Sequence, residues 1–161
     1  LPAEVLLDAL NQATGNDEPL DMKYHYWPDK LKMVELPFAP RNEFVKFFLE
    51  QFGKPARNSS SQCDCERDPG VSVLQAMTLG ILPRIAEKIN DPKGLAARVA
   101  KEVPDENERI DELFLATLSR LPTDAERTAG VEFVRKSPTV QTGLQGVLWS
   151  LVNTREFLLQ H

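Results

Sequence analysis

A chain of 161 residues, 42% hydrophobic and 27% charged, has the size and balance of one globular domain, and it can bury a core without a metal or a disulfide to hold it. Its net charge of −5 argues against nucleic acid and anionic lipid as partners, because both need a basic footprint. No run of about 18 apolar residues is present, so no membrane span is expected, and two cysteines do not make a disulfide framework.

Leu1 to Ala13 reads as a short amphipathic helix. Pro2 suits its first position, where a missing N–H costs nothing. Leu6, Leu10 and Ala13 share one face, and Gly15 supplies the stop. From Asn16 to Asn42 no period is sustained, and Pro19, Pro28, Pro37 and Pro40 forbid a long helix. This reads as one long extended segment, 16–42, that wraps the helical body and is pinned by Tyr24, His25, Tyr26 and Trp27. The alternation of Leu31, Met33 and Leu36 suggests a short strand within it. Asn42 is a candidate N-cap for a helix whose Phe44, Phe47, Phe48 and Phe52 fall on one face, read as core. Gly53 and Pro55 end that helix, and a polar loop with Ser59, Ser60 and Ser61 follows.

Past the turn at Pro69-Gly70, four pairs have the spacing of a capping box: Ser72 with Gln75, Asp105 with Glu108, Thr123 with Glu126, and Asn153 with Glu156. Each stands at the start of an apolar period. The first opens Leu74, Met77, Ile81, Ile85 and Ile89, with a break expected near Gly80 because of Pro83. Asp91-Pro92 starts a short helix to about Val103. Asp105 opens Ile110, Leu113, Phe114, Leu118 and Leu121; Thr123 opens Ala125, Ala129 and Phe133, where Gly130 weakens the helix. Val140, Leu144, Val147, Leu148 and Leu151 line another helix, and Asn153 restarts a last turn through Phe157 and Leu158. The expected fold is all-α, about seven helices in an irregular bundle, with residues 1–161 as a single domain.

Several fragments occur in an order that carries a resemblance. They are Leu1-Pro2-Ala3-Glu4-Val5-Leu6-Leu7-Asp8-Ala9, the run from Phe48-Leu49 through Phe52-Gly53-Lys54-Pro55-Ala56-Arg57, Cys63-Asp64-Cys65-Glu66-Arg67, Gln75-Ala76, the run from Leu118 to Glu126, and the run from Leu148 to Phe157. Together they resemble the C-terminal domain of unknown function found in large planctomycete proteins that also carry cytochrome-C-like domains. Where that family shows a Leu-Asn-Gly-like break, this chain reads Leu79-Gly80-Ile81-Leu82-Pro83. The resemblance implies an extracytoplasmic setting, in the periplasm or at the cell surface. It implies partners among other domains of the same polypeptide, some of them haem-bearing. It assigns no activity. Beginning at Leu1 rather than Met, the chain is read as a C-terminal piece of a larger multidomain protein.

The one unusual chemical stretch is Cys63-Asp64-Cys65-Glu66-Arg67, which holds both cysteines. A disulfide between residues two apart closes a tiny ring; it removes little chain entropy and is strained, which makes it more oxidising. Arg67 favours a thiolate, whereas Asp64 and Glu66 oppose it. A metal at Cys63 and Cys65 would draw on His25 or a carboxylate, and no clean fourth ligand for zinc is present. No Cys-x-x-Cys-His occurs, so no covalent haem and no other cofactor is expected. The serines 59–61 have no histidine set to activate them, and the acids of 105–112 read as a solvated helix start. Two functional readings stay open. The first is a non-catalytic structural or interaction module in which Glu66 and Arg67 pair structurally. The second is a redox or metal-binding module centred on Cys63 and Cys65.

Overall fold

A computed structural model describes residues 2–17, 31–35, 42–51 and 83–159. Within them the architecture is all-α, as expected, and no strand occurs among the described residues. The elements in order are α1 (Ala3–Thr14), a 3-10 turn (Met33–Glu35), α2 (Glu43–Gln51), α3 (Pro83–Asn90), α4 (Leu95–Glu102), α5 (Glu106–Leu118), α6 (Asp124–Lys136), α7 (Val140–Val152) and α8 (Arg155–Leu159). No helix among the described residues is long and apolar enough to cross a membrane.

The bundle is built around α7, which packs against α1, α3, α4, α5, α6 and α8. Its sequence, VQTGLQGVLWSLV, holds no charged residue, which suits a helix enclosed on several sides. Leu144 and Leu148 are fully buried on it, with Leu151 and Val152 close behind. Facing them are Leu6, Leu7 and Leu10 of α1, Ile85 of α3, Val99 of α4, Ile110 and Leu113 of α5, and Phe157 of α8, all within one continuous core. Each such side chain contributes about 1.5–3 kcal/mol on leaving water. The crossing of α6 and α7 is set by glycine: a Cβ on Gly143 would stand 2.7 Å from the Cα of Val134, and one on Gly146 would stand 2.7 Å from Cε1 of Phe133.

The helix ends follow the chain's polar punctuation. Pro2 sits just ahead of α1, one position before the expected one. At the other end Gly15 takes the left-handed conformation with φ 65°. Its N–H bonds to the Gln12 carbonyl and that of Asn16 to the Asn11 carbonyl, both at 3.2 Å, the Schellman ending that glycine permits. Thr123 and Glu126 form the full reciprocal box. Asp105 accepts from the N–H groups of Asn107 and Glu108, which hold its carboxyl below the usual range. Thr139 caps α7 by accepting from the Thr142 N–H at 3.1 Å.

Several expectations need correction, among them Leu121, which lies past the end of α5 and is exposed, and the Ala125, Ala129 and Phe133 face of α6, which turns outward while Val131 and Val134 are buried. The stretch around Met33 forms a 3-10 turn, not a strand. The cause is Asp8 on α1, whose two carboxylate oxygens accept from the Met33 and Val34 N–H groups at 2.8 and 3.1 Å and so bend the backbone onto the helix. On α2, capped by Asn42 through the Val45 N–H, the buried face is Val45, Phe48 and Leu49; Phe47 is 43% exposed. Branched aliphatics displaced one phenylalanine of the aromatic stripe, since residues 45, 48 and 49 share a face as well as 44, 47 and 48 do. Asp91 does not start α4: its carboxylate accepts from the Lys93 N–H in a turn, and the helix begins after Gly94. Asn153 does not cap α8. It ends α7, its amide donating to the Trp149 carbonyl, and Thr154 accepts from the Phe157 N–H instead. The remaining parts of the 16–42 segment, the stop at Gly53 and Pro55, Phe52 and the Ser72–Gln75 pair lie outside the described residues.

Candidate functional site

Cys63, Cys65, Glu66, Arg67 and His25 all lie outside the described residues, as do Ser59 to Ser61 and the Gly80 break. Among the described residues no group of three His, Cys, Asp or Glu side chains is placed to hold a metal. What the described residues do assemble is a cation between two acids at the meeting point of α5, α6 and α8.

It is built from two sequence fragments far apart in the chain. The α5 helix ends on Ser119, which takes a left-handed conformation at φ 55°. That reversal is followed at once by Arg120, the link Leu121-Pro122 and the cap Thr123. The guanidinium of Arg120 meets Glu156 in a two-pronged contact: Nε donates to Oε1 at 2.7 Å and Nη2 to Oε2 at 2.9 Å. It meets Glu126 in a second one, with Nη2 donating to Oε1 at 2.8 Å and Nη1 to Oε2 at 2.9 Å. The remaining Nη1 hydrogen goes to the Leu121 carbonyl at 3.1 Å. Arginine carries five N–H donors in a rigid fork, and all five are used. The Phe114 ring lies beneath, 5.4 Å from ring centre to guanidinium carbon, a favourable place for a cation.

The electrostatics follow from these contacts. The Glu126 carboxyl is lowered to about 2, first by Arg120 and then by the Thr123 N–H and hydroxyl. Arg120 is held still more firmly in its charged form by Glu156 and Glu126. Two more pairs tie α5 to α6: Arg127 to Asp111 at 2.8 Å and Arg135 to Glu106. The acids read as a solvated helix start are thus partly cross-helix partners.

A second polar group is buried. Lys88 on α3 is 3% exposed. Its ammonium donates to Asn11 Oδ1 at 2.9 Å and to the Asn16 carbonyl at 2.6 Å. Asn16 in turn donates from Nδ2 to Asp91 Oδ2 at 2.8 Å. The lysine therefore joins the last turn of α1 and the residue after its glycine stop to α3.

Chemically, the Arg120 centre is a saturated one. Its donors have no hydrogen left for a phosphate, a carboxylate ligand or a developing oxyanion, so it fixes geometry. Sequence reasoning missed Arg120, Lys88 and Asp8, and it gave Glu156 to a cap with Asn153. One signal was available for Lys88: it stands between Ile85 and Ile89 on the apolar face of its helix. For Arg120 the pairing spans 36 residues of chain, and no local pattern announces it. Comparison with family models, with curated proteins and with solved structures finds no significant match.

Proposed function

We propose that this chain is a non-catalytic helical module of a larger extracytoplasmic protein, serving to dock onto or stiffen neighbouring domains of the same polypeptide. The observation that carries the reading is the saturation of Arg120, whose five donors are spent on Glu126, Glu156 and the Leu121 carbonyl. The two sequence fragments that it unites, 118–126 and 148–157, are also among those that carry the family resemblance. Fragments tied to each other by structural ion pairs suit a scaffold whose shape is its function. The setting and the partners rest on that resemblance.

The competing reading places redox or metal chemistry at Cys63 and Cys65, the one stretch where the chain concentrates its thiols. Thiol titration of the purified chain with and without reductant, joined to elemental analysis, separates the two. Inert thiols and no bound metal are expected. Metal or reversible oxidation lost in Cys63→Ser and Cys65→Ser, or substrate turnover abolished by one substitution that leaves the fold intact, would overturn the scaffold reading.

A further inference from the structure

We draw no further inference here: the strongest candidate, the apolar surface where the half-exposed Phe133 ring of α6 lies over Gly146 of α7, has nothing in the structure to show what covers it.

Discussion

Replacing Arg120 by alanine removes five hydrogen bonds at once. A charge-assisted hydrogen bond that is well shielded contributes about 1.5–3 kcal/mol. Here the side chains of Arg120, Glu126 and Glu156 keep 34%, 37% and 31% of their surface in water. Screening therefore brings each of the two ion pairs down towards about 0.5–1 kcal/mol. The contact over Phe114 adds about 0.5–1 kcal/mol. With the Leu121 carbonyl returned to solvent, the total loss is about 1.5–3 kcal/mol, the sum of these screened contributions. For a domain of this size each kcal/mol moves the melting temperature by about 2–4 °C, so the melting temperature should fall by about 3–12 °C.

The location of the damage is as informative as its size. Helix α8 has five residues, too few to hold itself together in water. It is kept in place by Phe157 and Leu158 in the core and by Glu156 on Arg120. Hydrogen exchange in Arg120→Ala should therefore accelerate at the Leu158 amide, bonded to the Thr154 carbonyl, before it does in the middle of α7. Arg120→Lys should recover less than half of the loss, because an ammonium cannot present a planar fork to two carboxylates. A double-mutant cycle with Glu156→Ala should return a coupling of about 0.5–1 kcal/mol. An unchanged melting temperature together with zero coupling would refute the reasoning.

Four other outcomes are expected. Glu126 has its folded pKa lowered to about 2 from 4.5, so its contribution is complete above pH 4.5 and is lost as pH falls through the folded value; acid titration of stability should lose part of its slope between those values in Glu126→Gln, and an identical slope would contradict the assignment. Gly143→Ala should destabilise by about 1–3 kcal/mol by pushing a methyl against the Val134 backbone, whereas a helix governed by propensity alone would gain up to about 1 kcal/mol, so the sign of the change in denaturant midpoint decides. Phe48→Ala should cost about 3–5 kcal/mol in chemical denaturation, while Phe47→Ala on the same helix should stay within about 0.5 kcal/mol of the parent chain; equal losses would restore the aromatic stripe as the buried face. Ser119→Gly should raise stability by up to about 1 kcal/mol, since glycine alone takes the left-handed region without a Cβ clash, and a fall in melting temperature would show that the serine is held there by more than its backbone.

What could be read from the sequence was local. The α1 helix with its glycine stop, the α7 helix with no charge, and the Thr123–Glu126 box all follow from spacing within a few residues. Errors arose where a second segment competed for the same groups. Leu31, Met33 and Leu36 have a strand-like spacing, but Asp8, 25 and 26 residues from Met33 and Val34, takes the N–H groups of those two. Asn153 and Glu156 have box spacing, yet Arg120 claims the glutamate. Phe47 shares a helical face with Phe44 and Phe48, but that face overlaps another containing Val45 and Leu49, and the choice between them depends on how α2 meets α1. Lys88 interrupts an apolar face for a reason visible only when the end of α1 arrives beside it. The dithiol stretch could be singled out by composition alone, because both cysteines fall in it, but a role for thiols depends on what stands around them in space.

The Arg120 centre holds one positive charge between two negative ones, an apparent excess of negative charge. The helices account for it. Glu126 lies in the first turn of α6 and Glu156 in the first turn of α8, where the aligned N–H groups make a partial positive pole; Arg120 follows the end of α5, where the aligned carbonyls make a negative one. Each side chain therefore complements its own helix end before it meets its partners. The same Glu126 Oε2 accepts from the Thr123 N–H at 2.7 Å, from the Thr123 hydroxyl at 2.9 Å and from Arg120 at 2.9 Å. The cap that starts α6 and the clamp that docks α8 are consequently one hydrogen-bonded unit. Moving any of the three helices would break contacts belonging to the other two, which gives the five-residue helix α8 a defined seat on the bundle.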